Sequence, residues 1–266
     1  MEEEGVELLL STWPEIEAYL KEERGVIIPI GSMEQHGPTG FIGTDAICAE
    51  GVAKGVGEAT GALVSATIGV GMSIHHTAFP GSLSLRPSTL VQVIMDHVFC
   101  LARYGFERFL LLNGHGGNVA SVNAAFWEMY ALLPQMGFSR PERIRFKLES
   151  WYDAKGIAEL NNELFGGDTG GHATADEISM AMYLYPDRIS QTRGAPRSSD
   201  PGHAASLPQL DSSRTTTYGP QDFRRSFPDG RIRSNPELAT PEHGRRLYET
   251  AVKAMSVSYL QFIEDE

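Results

Sequence analysis

The stretch GVIIPIGSMEQHGPTGFIGTD, residues 25–45, decides the fold. Gly25 to Ile30 is a short apolar run stopped by Gly31, which reads as a buried strand. Thr44 opens a helix that runs to about Gly57, with Thr44 as a possible N-cap. Glu34 and His36 lie between strand and helix, and Asp45 follows near the helix start. Reading outward, the alternation repeats. Leu63 to Gly69 is a second strand, and Pro87 to about Tyr104 a helix with Leu90, Val91, Ile94, Val98 and Leu101 on one face. Arg108 to Leu112 is a third strand, Asn118 to about Leu133 the helix after it, and Arg143 to Leu148 a fourth strand. Helices follow over Thr174 to Tyr185 and Thr240 to Glu264.

Strands alternating with helices predict an α/β fold whose mostly parallel sheet is covered on both faces. The near-continuous apolar character of the strands fits that burial. No repeat or interdomain linker interrupts residues 1–266, which predicts a single domain. Arg188 to Asn235, rich in Pro, Gly, Ser and Arg, reads as a long loop with a role in function or assembly.

With 41% hydrophobic and 21% charged residues, the 266-residue chain has the composition of a soluble globular protein. Its formal charge of -12 argues against nucleic acid or anionic lipid as a general partner. Cys48 and Cys100 both fall in apolar helical stretches and read as buried thiols rather than ligands or a disulfide framework. The acidic, amphipathic start lacks the features of a secretory signal, and no apolar run is long enough to span a bilayer. A cytoplasmic location is expected.

In an open parallel sheet, ligands bind beyond the carboxyl ends of the strands, and there the unusual residues collect. Glu34, His36 and Asp45 together offer one imidazole and two carboxylates, a donor set suited to Zn, Mn or Fe. Taken singly, Asp45 reads rather as a capping residue stabilised at a helix start by the helix dipole, and Glu34 and His36 as a polar turn; as a trio in one post-strand loop they favour the metal reading. NGHGGN, residues 113–118, puts His115 at the end of the third strand in a tight glycine turn, with Asn118 able to cap the next helix. A glycine-rich turn with an incidental histidine is the plainer alternative.

Glu177 shares a helical stripe with Ala173, Met180, Ala181 and Leu184, which is costly for a carboxylate unless it is paired or metal-bound. The alternative places it at the helix rim. His172, in a Gly-Gly-His turn, suits a mobile proton carrier or a helix-entry residue. Of the adjacent His75 and His76, at most one reaches a shared site from an extended segment, and His76 is the better placed.

PIGSMEQHGPTGFIGTD, LLLNGHGGN, GGHATADEIS and NPELATPEHGRRLYE, in that order from about Gly25 to Glu249, resemble the motifs of the creatininase family. The resemblance implies a three-layer α/β/α fold, a pair of divalent metal ions and a homohexamer. It implies metal ligands at Glu34, His36, Asp45 and His115, with Asp45 bridging, and a proton-transfer role for His172. Creatininase itself carries a ligating Glu two residues after the loop histidine. Here that place is Gly117, so Glu177 is expected to complete the site. The next residue after His115 is Gly116 rather than an aromatic, and Thr169-Gly170-Gly171 lacks an expected Trp, which argues against creatinine as the substrate.

The function expected is metal-dependent hydrolysis of a C–N bond in a small cyclic amide or formamide, with His172 and Glu177 catalytic. A hydrolase of a C–C or C–O bond on the same fold, or a noncatalytic metal- or ligand-binding protein, are the alternatives.

Overall fold

A computed structural model describes residues 7–138, 140–166, 170–188 and 219–265. Four parallel strands form one sheet in the order β2-β1-β3-β4, with β1 at Gly25–Ile30, β2 at Leu63–Val64, β3 at Arg108–Asn113 and β4 at Arg145–Ser150. The helices are α1 (Trp13–Glu22), α2 (Thr44–Thr60), α3 (Pro87–Tyr104), α4 (Val119–Leu132), α5 (Ile157–Phe165), α6 (Ala175–Leu184), α7 (Pro220–Ser226) and α8 (Pro241–Glu264).

Successive strand residues face opposite sides, so the sheet feeds two cores. Val26, Ile28, Ile30, Phe109 and Leu111 pack against α3, α4 and the inner side of α1. Ile27, Leu110 and Leu112 pack against α2, α5, α6 and α8. The result is the three-layer α/β/α arrangement.

The second strand is shorter than its composition predicts, with only Leu63 and Val64 in the ladder. Pro29 on β1 accepts from Ile68 N–H at 2.9 Å but has no N–H to return, so the ladder is interrupted there and continues only as an isolated bridge between Ile30 and Ile68. The fourth strand begins at Arg145, after a 3-10 turn over Pro141–Arg143, and continues to Ser150. Gly43, not Thr44, is the N-cap of α2. Asn118 precedes α4 without capping it through its side chain.

Cys48 is buried as expected, but Cys100 is exposed, on the outer side of α3. Within the expected 188–235 loop, residues 220–226 form α7, which buries Phe223. Residues 189–218 lie outside the described residues. Among the described residues, no helix is long and apolar enough to cross a membrane.

Helices α6 and α8 cross at Gly244, where a Cβ would lie 1.9 Å from the Ser179 carbonyl oxygen. Both partners are backbone, so neither can step aside cheaply. Gly244→Ala is expected to lower the unfolding free energy by about 3 kcal/mol. A denaturant midpoint equal to wild type would contradict this close crossing.

The fold positions a site in one place. Ile30, Asn113 and Ser150 are in register, so the carboxyl ends of β1, β3 and β4 are level. The chain leaves β1 towards β2 and leaves β3 towards β4, which makes the gap between β1 and β3 the topological switch point.

Candidate metal centre

Two glycines bring the post-strand loops together over the start of α2. A Cβ on Gly31 would lie 2.4 Å from Ala46 N, and one on Gly114 would lie 2.2 Å from the Asp45 carbonyl oxygen. The exits of β1 and β3 therefore both press on the first turn of α2, which carries Asp45. Asn118 ties the loops together, accepting from Met72 N–H at 3.0 Å and donating to Gly31 O at 2.9 Å. That duty takes it away from the helix cap it was expected to form.

The histidine protons can be placed from their backbone partners. His36 Nδ1 lies 3.0 Å from the Glu34 carbonyl and donates to it, so in the neutral ring the lone pair is on Nε2. That Nε2 is 3.1 Å from Asp45 Oδ1 and 3.5 Å from Glu177 Oε2. His115 Nε2 donates to the Met72 carbonyl at 3.0 Å, so in the neutral ring the lone pair is on Nδ1, 3.2 Å from Asp45 Oδ2. Each imidazole is oriented by a backbone carbonyl on one side and offers a lone pair on the other, the arrangement found around metal-bound histidines.

Asp45 thus turns one oxygen to each imidazole. Glu34, Asp45 and His115 offer ligand atoms all within 4.8 Å of one another, as do His36, His172 and Glu177. Glu34 Oε2 and Asp45 Oδ2 are buried and accept no hydrogen bond. An orphaned buried carboxylate oxygen is costly, and a cation between these groups removes the cost. The residues present therefore fit a divalent metal.

Glu177 satisfies both readings of its position. Its Oε1 accepts from Thr174 N–H at 2.6 Å, closing a capping box at the start of α6, while Oε2 faces His36. A glutamate at Gly117 has no room. A Cβ there would lie 2.3 Å from His115 Nε2 and 2.5 Å from Met72 O. The carboxylate missing from that loop is thus matched by one arriving from α6.

His172 sits on a two-stranded bridge to Ile232, with Nδ1 3.6 Å from Glu34 Oε1. His76 Nε2 is 3.3 Å from Glu34 Oε1. His75 and His76 occupy a 3-10 turn rather than an extended segment, so both line the same cavity, contrary to the expectation of one. The cavity measures about 410 Å³, and Tyr152, Asn161 and Asp176, which the sequence did not single out, also line it.

Burial opposes charge throughout the cluster, but the neighbours decide the outcome. Burial and the Asp45 carboxylate push Glu34 up to about 8. Burial pulls His115 down, yet Glu34 and Asp45 outweigh it and raise it to about 9. His36 likewise ends well above its usual value because Asp45 and Glu177 overcome its burial. Burial, reinforced by His36, lowers His172 to about 4.

A carboxylate- and imidazole-lined cavity at the switch point of a parallel α/β sheet defines a metal-site class of enzyme fold. Residues 10–258 match the creatininase family, described as creatinine amidohydrolase, and the chain belongs to that family. It is 30% identical to the creatinine amidohydrolase of Pseudomonas putida over 68% of this chain and 73% of that protein. It is 28% identical to the mycofactocin precursor peptide peptidase of Mycobacterium ulcerans over 90% of this chain and 82% of that one. A solved creatinine amidohydrolase (creatininase) structure superposes with a TM-score of 0.82 at 25% identity, covering 99% of this chain and all of the other. The matched relatives are hydrolases.

Proposed function

We propose that this chain is a metal-dependent hydrolase of a C–N bond in a small cyclic amide or formamide. The observation that carries the reading is the division of Asp45, with Oδ1 against His36 and Oδ2 against His115. Two ions of the Zn, Mn or Fe type would be held by His36, Asp45 and Glu177 on one side and Glu34, Asp45 and His115 on the other. Bound there, they supply Lewis acidity that polarises a carbonyl and makes water acidic near neutral pH.

The chain's own residues supply the proton traffic. His172 is held neutral at pH 7 by burial, and its Nε2 lies 2.6 Å from the Gln35 carbonyl, to which it donates. Its exchangeable lone pair is therefore Nδ1, on the cavity side. A proton taken there from water can pass to the leaving nitrogen. A cavity of 410 Å³ suits a small molecule.

The M. ulcerans relative favours a second reading, a peptide amide as substrate. A panel of cyclic amides, N-formyl amines, short peptides and cyclic ketones separates these readings and the C–C alternative. Cleavage of a cyclic amide or formamide supports the proposal, and cleavage of none of the amides with Zn, Mn or Fe supplied overturns it. Glu177 stands beside His36, which supports a complete ligand set over a noncatalytic reading. The cytoplasmic location rests on the acidic start and the lack of a long apolar run in the sequence, and the homohexamer on the family resemblance. Light scattering that gives a monomer would overturn the latter.

Loading the site should also release protons. In the metal-free cluster burial and Asp45 raise Glu34, and the neighbouring carboxylates raise His36 and His115 despite their burial, so the ligand set carries protons at pH 7. Ligands must shed them, so zinc uptake at pH 7 is expected to release at least about one proton per chain. Apparent affinity then rises as pH climbs through 8 towards 9. Calorimetry in buffers of different ionisation enthalpy reads the number, and a release near zero would count against this ligand set.

A further inference from the structure

Gln35 lies between Glu34 and His36 and is buried, at 4% exposure. Its amide orientation is settled at both ends. Oε1 accepts from Gly37 N–H at 2.8 Å, and Nε2 donates to Gly230 O at 2.8 Å. The second amide hydrogen goes to His76 Nδ1 at 2.9 Å. His76 Nδ1 is therefore an acceptor, so the neutral ring carries its proton on Nε2, facing Glu34 Oε1 at 3.3 Å.

The main chain of the same residue fixes a second ring. His172 Nε2 is 2.6 Å from the Gln35 carbonyl oxygen, and two lone pairs cannot share that distance. The proton is on Nε2 and the lone pair on Nδ1. Gln35 Nε2 also lies 3.0 Å from His172 Nε2, but with both amide hydrogens already used this is a contact rather than a bond.

The surroundings hold this geometry in place. A Cβ on Gly230, at φ +84, would lie 1.8 Å from Gln35 Oε1, so the segment after α7 is seated directly on the amide. The His76 ring is packed between His172, at 4.3 Å between centroids, and Phe223 of α7, at 4.6 Å.

We propose that Gln35 is a positioning residue that sets the tautomers of His76 and His172, so that His76 donates to Glu34 while His172 keeps Nδ1 free for proton transfer. The catalytic consequence rests on the function proposed above, but the tautomers do not.

The test is ring-¹⁵N correlation spectroscopy on the zinc-loaded full chain, with Gln35→Glu and Gln35→Met beside wild type. Wild type is expected to show both His76 and His172 protonated on Nε2, and His76 protonated on Nδ1 would overturn the proposal. In Gln35→Glu the side chain presents a carboxylate, so His76 is expected to switch to Nδ1–H, while His172, held by the backbone, does not. In Gln35→Met, which has no donor, His76 is expected to become a mixture of both tautomers. Zinc content should stay at the wild-type level in both variants. On whichever panel amide wild type cleaves, kcat should fall about 10²-fold with KM little changed. His76 remaining on Nε2–H in both variants, or zinc lost from either, would overturn the proposal. A wild-type chain that cleaves no panel amide removes the proposed function and leaves the tautomer result to stand or fall alone.

Discussion

Asp45→Asn is expected to empty both halves of the metal centre. The substitution keeps the shape of the side chain at the start of α2 but removes its charge and replaces one oxygen with a donor nitrogen. Asp45 Oδ1 faces His36 and Oδ2 faces His115, so in the proposed site neither half would keep its ligand set intact. Elemental analysis should fall from about two ions per chain to well below one, and hydrolysis by at least about 10³-fold, or roughly 4 kcal/mol of barrier. Glu177→Gln provides the contrast. It touches only the His36 side, so it should keep the ion on the His115 side. Asp45→Asn retaining two ions, or Glu177→Gln losing both, would contradict a shared Asp45.

Gly117→Ala has the second largest expected effect, and the cause is steric. The added Cβ would meet His115 Nε2 at 2.3 Å and Met72 O at 2.5 Å. The carbonyl is backbone and stays, so the imidazole must turn and break its bond to Met72. We expect the His115-side ion to be lost and stability to fall by about 2 kcal/mol, a melting shift of about 4–8 °C for a chain of this size. Gly116→Ala is the control, because its Cβ would meet nothing nearer than Tyr152 Oη at 3.7 Å. Its metal content and melting temperature should match wild type. Equal behaviour of the two variants would mean that Gly117 does not seat the histidine.

How much of this was legible in the sequence depended on how local each signal was. The strand at Gly25–Ile30 and the ligand loop after it are contiguous, so residue order alone placed Glu34, His36 and Asp45 near one another. His115 could be placed at a strand end, but joining it to Asp45 needed β1 and β3 to be neighbours, which only the family order suggested. The early end of β2 follows from Pro29 on a different strand, information that a strand-by-strand reading does not use.

Helix α1 has a local signal in the capping box of Thr12 and Glu15, and α7 breaks the expected loop where Phe223 and Phe227 stand four residues apart. Gln35 carries no local signal at all. Its partner carbonyl at Gly230 is 195 residues away, and a buried glutamine has no spacing signature of its own. Gly117 was read as a lost ligand, and packing against His115 and Met72 shows why a glycine stands there.

The measurement that bears most directly on the central claim is anomalous diffraction from crystals grown with zinc. Two peaks are expected, one on each side of Asp45, each about 2.0–2.2 Å from a different oxygen of that carboxylate. One should be ligated by His36 and Glu177 and the other by Glu34 and His115. No peak, a single peak on one Asp45 oxygen, or zinc held instead among Glu34, His76 and His172 would contradict the account.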